Sequence, residues 1–149
     1  MRETEFIKVF TDATARGNPG HSGMGIVILD SDDEIIKEYH QYIGVITNNQ
    51  AEYSAIVKSL ELIKELDTTY NRIDFYSDSE LMVKQLTGRY KIKDENLKIL
   101  AHKFLAGIKI LDKAYTITHI LRSKNKLADV LANKATDDFL QSKKSSLIK

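Results

Sequence analysis

Cysteine is absent from this chain, which excludes a disulfide framework and any thiolate metal site. Tryptophan is absent too, and the one proline, Pro19, falls in the turn chemistry of Arg16-Gly-Asn-Pro-Gly20. No apolar run approaches the length of a membrane-spanning helix, and Met1-Arg-Glu-Thr-Glu5 lacks the apolar stretch of a secretory signal. A cytoplasmic location with no membrane partner is therefore expected. There is no internal repeat, low-complexity tract or convincing linker, and no feature calls for an obligate protein partner, so a monomer is expected. Net charge is nearly nil, at a formal +1, and says nothing about nucleic acid until its distribution is considered.

What is present fits one domain. With 149 residues, 42% apolar and 29% charged, the chain can bury a single core. That core is expected over about residues 5–140, with 141–149 a mobile tail in which Leu147 and Ile148 could dock. Charge is unevenly placed. The segment from Lys84 to Lys103 carries +4 and the remainder −3. Tyr90 sits inside this cluster, as in a backbone-contacting surface with a stacking ring, although a solvated helix face is the plainer reading.

Patterning predicts strands at Phe6–Thr11, Gly23–Leu29, Ile35–Val45, Ile73–Tyr76 and Tyr115–Leu121. Helices are predicted from Asn49 to Leu66, Ser79 to Leu86, Asn96 to Leu111 and Asn125 to Leu140. Three hairpin-connected strands followed by strand–helix alternation imply an α/β fold with a mixed sheet. The helix after the third strand is long enough for a right-handed crossover, which makes the first and fourth strands candidates for parallel neighbours.

Four acidic residues then stand out: Asp12, Glu52, Asp78 and Asp129. Asp12 and Asp78 follow predicted strands, and parallel neighbours would release both at one sheet edge, where ligands of open α/β sheets bind. Glu52 precedes Ile56 by four positions and so shares the stripe that faces the sheet. Asp129 lies near the start of the last helix. Each has a structural explanation as well. Asp78 could cap the short helix, Glu52 could complete a capping box with Asn49, Asp129 could complement the helix dipole, and Asp12 could open a turn. Gathered together they would repel, by roughly 4 kcal/mol for a pair 4 Å apart near the surface. A hard divalent cation reverses that sign and supplies a means of phosphodiester hydrolysis.

At these residues the chain resembles the type 1 ribonuclease H family. The matching stretches are Phe10-Thr-Asp-Ala-Thr-Ala-Arg-Gly-Asn-Pro-Gly20, Thr47-Asn-Asn-Gln-Ala-Glu-Tyr53, Tyr76-Ser-Asp-Ser-Glu80 and Asn125-Lys-Leu-Ala-Asp-Val-Leu-Ala-Asn133. The resemblance implies a ribonuclease H-like fold, a five-stranded mixed sheet with helices on both faces. It implies endonucleolytic cleavage of the RNA strand of RNA–DNA hybrids, leaving 5′-phosphate and 3′-hydroxyl ends. Asp12, Glu52, Asp78 and Asp129 would be the metal ligands, holding two Mg²⁺, or Mn²⁺ as a substitute, to activate water and stabilise the leaving oxygen. Gly17, Asn18, Asn48 and Asn49 match positions along the hybrid's minor groove, where 2′-hydroxyls are read. Thr47 matches a DNA-phosphate position, and Glu80 stands where many members carry Gln.

Two departures mark the short, archaeal-type form. The Gly-His loop before the last acid is missing, and the chain reads His119-Ile-Leu-Arg-Ser-Lys-Asn-Lys-Leu-Ala-Asp129 instead. Arg122 is then the expected source of positive charge near the scissile phosphate, able to stabilise charge but not to act as a base. His119 is expected to lie along a strand. The long basic protrusion is also missing, with Gly88-Arg-Tyr-Lys-Ile-Lys93 as its reduced counterpart. Competing functions are a catalytically silent nucleic-acid-binding module, a 3′→5′ exonuclease of related architecture, and a protein–protein adaptor.

Overall fold

The computed structural model describes residues 2–148, with the last two given by backbone alone. The elements are β1 (Arg2–Glu3), β2 (Phe6–Gly17), β3 (Gly20–Leu29), β4 (Ile35–Ile46), α1 (Asn48–Lys64), β5 (Thr68–Thr69) and β6 (Arg72–Ser77). There follow α2 (Glu80–Leu86), α3 (Glu95–Leu111), β7 (Ala114–His119), a 3-10 turn (Arg122–Lys124) and α4 (Lys126–Ile148). The main sheet has the order β4-β3-β2-β6-β7, and the short β1 and β5 pair separately. β2–β3 and β3–β4 are antiparallel hairpins, whereas β2–β6 and β6–β7 are parallel. The expected parallel pairing of the first and fourth main strands is therefore present.

Alternation along the strands assigns the two faces. Met24, Ile26 and Ile28 of β3 join Ile7, Val9, Ile73 and Phe75 in a core covered by α1 and α3. Tyr53, Ile56, Leu60 and Ile63 are buried along α1, and each such side chain contributes about 1.5–3 kcal/mol on leaving water. Phe104 of α3 meets Phe75 edge-on, with ring centroids 5.3 Å apart. The other face of β3 carries Gly23 and Gly25, and α4 lies directly on them. A Cβ at Gly25 would overlap the Ala128 carbonyl and come within 2.6 Å of the Ala132 nitrogen. The small residues Ala128, Ala132 and Ala135, all buried, are what allow this approach.

Several boundaries differ from the sequence expectation. β2 does not stop at Thr11 but continues to Gly17, because its second half pairs with β3 down to Gly17↔Gly20. Asp12 is thus within a strand, although the pairing of β2 with β6 ends at Thr11↔Ser77, one residue before it. β7 ends at His119, short of the expected Leu121. Residues 87–94 form the connection between α2 and α3, so the centre of the basic cluster around Tyr90 is a loop, while Lys84, Lys98 and Lys103 lie on the flanking helices. Helix α4 runs on to Ile148, past the expected end at Leu140 and through the segment read as a mobile tail, where no Gly or Pro interrupts it. The docking suggested for Leu147 and Ile148 concerns side chains outside the described residues. No helix among the described residues is long and apolar enough to cross a membrane.

Candidate active site

Local chemistry releases the acids from the structural roles that competed for them. Helix α1 is capped by Thr47, whose side chain accepts from the Gln50 N–H at 3.2 Å while the Gln50 side chain accepts from the Thr47 N–H at 3.0 Å. Glu52 is left free of capping and turns inward. Helix α2 is capped by Ser79, which accepts from the Met82 N–H at 3.3 Å, so Asp78 is not the cap. Asp12 pairs with Gly25 across β2–β3 and opens no turn. Only Asp129 keeps its alternative, since it does stand in the first turn of α4.

The fold brings three of the four carboxylates into one cluster. Oxygens of Asp12, Glu52 and Asp78 all lie within 4.8 Å of one another. They line a cleft of about 520 Å³ with Ala13, Ser79 and Arg122. Asp12 is 4% exposed and Glu52 9%. The Ala13 N–H donates both to Asp12 Oδ1 at 2.9 Å and to Glu52 Oε1 at 2.8 Å, which turns these two carboxylates toward each other. Glu52 Oε2 is buried with no hydrogen-bond partner among the described residues.

Asp129 approaches the group from the opposite face of the sheet. It lies outside the tight cluster but close enough to raise Asp12. Its Oδ1 is 3.8 Å from the Arg122 guanidinium and accepts from Asn133 Nδ2 at 3.3 Å. Arg122 itself is 78% exposed, at the mouth of the cleft.

The electrostatics follow from that crowding. Burial, then the charge of Asp78, pushes Asp12 up to about 8. Burial, then the charges of Asp12 and Asp78, pushes Glu52 well above the usual carboxylate range. Burial raises Asp78 as well, while the nearby Arg122 charge and the Asn125 amide oppose it. Like charges this close, one with an orphaned buried oxygen, make a donor set suited to a hard divalent cation. Asp12, Glu52 and Asp78 would hold it, with Asp129 in reach at the rim.

The residues expected to touch substrate divide between two places. Asn48 lines the acidic cleft. Asn18, Thr47 and Asn49 line an adjoining groove of about 470 Å³ together with Gln85, Lys91 and Lys93. Asn18 Oδ1 accepts from the Asn48 N–H at 3.1 Å and so ties the β2–β3 turn to the start of α1. Gly17 sits beside Asn18 with φ +104°, a backbone state that other residues rarely adopt. Glu80 pairs with Lys84 at 2.6 Å on the outside of α2, and the cleft is lined by Ser79 instead. His119 stands at the end of β7, opposite Ser77. Sequence reasoning missed Ala13, whose contribution is a backbone N–H and leaves no trace in residue type. It also missed Ser79, Asn125 and Asn133, the last two lying inside a motif read only for its acid.

Residues 10–135 match the family described as "Reverse transcriptase-like". The ribonuclease HI of Halobacterium salinarum is 38% identical over 135 residues, which cover 89% of this chain; the chain spans 65% of that relative's length. The crystal structure of RNase H1 from the same halophilic archaeon superposes with a TM-score of 0.84 at 36% identity, covering 89% of this chain and 98% of that one. The chain belongs to the type 1 ribonuclease H family. A further member of that family, LC11-RNase H1 in complex with an RNA/DNA hybrid, gives a TM-score of 0.81 at 40% identity, covering 90% of this chain and 99% of its own. Within the family fold, the first two parallel strands and α1 bring Asp12, Glu52 and Asp78 to one place, and α4 sets Asp129 beside them.

Proposed function

We propose that this protein is an endoribonuclease that hydrolyses the RNA strand of RNA–DNA hybrids, leaving 5′-phosphate and 3′-hydroxyl ends. The observation that carries this reading is the cluster of Asp12, Glu52 and Asp78 around the unpartnered Oε2 of Glu52. Mg²⁺ is the natural ion for such an all-oxygen donor set, with Mn²⁺ as a substitute and Asp129 as the fourth ligand. Two ions bound there would supply an activated water and stabilisation of the leaving oxygen.

The chain's own groups do the rest. The Ala13 N–H holds Asp12 and Glu52 in the orientation that ligation needs, so little reorganisation is required on binding. Arg122, always charged and open to solvent at the cleft mouth, offsets negative charge that builds on the phosphate. Asn48 in the cleft and Asn18, Thr47 and Asn49 in the adjoining groove present amide and hydroxyl groups to a backbone laid across both. Lys91 and Lys93 border the same groove and favour a phosphate strand there. The complex of LC11-RNase H1 with an RNA/DNA hybrid supports a hybrid as the duplex that this surface takes. A monomer acting in the cytoplasm completes the proposal.

Product mapping on a hybrid labelled within its RNA strand tests it. Cuts at interior positions with 3′-hydroxyl ends are expected. Stepwise trimming from one end would instead favour an exonuclease, and binding without any cut would make the protein a silent hybrid-binding module.

A further inference from the structure

Asn125 is a buried polar residue, 1% exposed, that the reading above leaves without a role. Its bonds reach β2, the 3-10 turn and α4. Its Nδ2 donates to the Thr11 carbonyl at 2.9 Å, one residue before Asp12 and at the last pair that joins β2 to β6. Its backbone N–H donates to the Arg122 carbonyl at 3.0 Å and closes the 3-10 turn. Its own carbonyl accepts from the Asp129 N–H at 3.1 Å and opens α4.

Asn125 Oδ1 is buried with no hydrogen-bond partner among the described residues, which is costly for a carbonyl oxygen. An apolar side chain of similar size would remove that cost. The amide is therefore explained by what Nδ2 does.

We propose that Asn125 is a positioning residue: by bonding to Thr11 and setting the start of α4, it holds Asp129 and Arg122 in register with Asp12 and Asp78 and so sets the affinity for the divalent ion. This rests on the metal-dependent hydrolase reading. A purely structural amide would cost stability when truncated and leave metal affinity alone in the folded protein.

The test is a calorimetric titration with Mg²⁺ in the absence of hybrid, alongside kcat and KM for hybrid cleavage. The variants are Asn125→Ala and the size-matched Asn125→Leu, which keeps the site filled if the alanine fails to fold. Ser59→Ala is the control, since Ser59 is a buried donor within α1, bonded to the Ile56 carbonyl at 2.6 Å. Both Asn125 variants should bind Mg²⁺ about tenfold or more weakly, the size of effect typical of groups that orient metal ligands. Their kcat should fall while KM for the hybrid stays near that of the wild type, and Ser59→Ala should lose stability only. Folded Asn125→Ala or Asn125→Leu with wild-type Mg²⁺ affinity overturns the inference, while wild-type cleavage would leave the hydrolase reading standing. A wild-type protein that neither binds Mg²⁺ nor cuts would overturn both.

Discussion

Asp12 lies directly opposite Gly25 in the β2–β3 pair, and Gly25 is one of the two glycines on which α4 rests. The residue that carries one acid is thus paired with the residue that decides how close the helix bearing another can come. Gly25→Ala would force α4 outward, since the backbone at Ala128 and Ala132 cannot give way as a side chain can. We expect a loss of about 1–3 kcal/mol, the usual range for overpacking, with a disproportionate loss of activity. Gly107→Ala is the contrast. Its Cβ would meet only the movable end of Leu60 at 2.6 Å, and the helix gains roughly 1 kcal/mol of propensity. Thermal unfolding and cleavage rates on the two variants check this.

Asp78→Asn should abolish cleavage and keep or raise the stability of the metal-free protein, because it removes one charge from a cluster that already repels. A gain near 1 kcal/mol would lift Tm by about 2–4 °C in a domain of this size. Melting curves in chelator, set beside the rate in Mg²⁺, give both halves of the result. Wild-type activity in this variant would remove Asp78 from the site.

The pH dependence of the metal-free fold has a definite sign. Asp12 holds its proton up to about 8 in the folded chain, against 3.8 ordinarily. The folded state therefore binds more protons than the unfolded one between those values, and stability falls as pH rises through that window. Mg²⁺ displaces the proton, so its affinity should climb over the same range and flatten the loss. Unfolding at pH 5 and pH 8, with Mg²⁺ and with chelator, tests the prediction. A metal-free protein more stable at pH 8 than at pH 5 would contradict it.

Arg122→Ala should slow turnover by roughly tenfold without eliminating it, as expected for one charge at an exposed rim rather than a proton-transfer group. Steady-state kinetics should show the change in kcat more than in KM. An unchanged rate would make Arg122 a structural partner of Asp129 only.

Much of this site was legible because its signals are local. The Asp12 and Glu52 motifs carry dense turn and cap chemistry, and α1 repeats its apolar positions clearly enough to show that Glu52 faces inward. The extension of β2 to Gly17 was not legible, because Ala13, Ala15 and Arg16 have no strand signature of their own and are held by pairing with β3. The tight seat of α4 was equally hidden. It depends on Gly23 and Gly25 meeting Ala128 and Ala132, residues more than 100 positions away in the chain. Asn125 escaped notice because its side-chain bond is to the Thr11 carbonyl, a partner far away in the chain that only the fold brings near.

The proposed activity rests on these carboxylates forming a metal-dependent site for cutting RNA paired with DNA. Cleavage of an end-labelled RNA–DNA hybrid in Mg²⁺, beside single-stranded RNA and with Asp78→Asn as control, tests it most directly. We predict internal cuts in the RNA of the hybrid, none in the single strand, and none in the variant. Tight hybrid binding with no cleavage in either Mg²⁺ or Mn²⁺ would contradict the account.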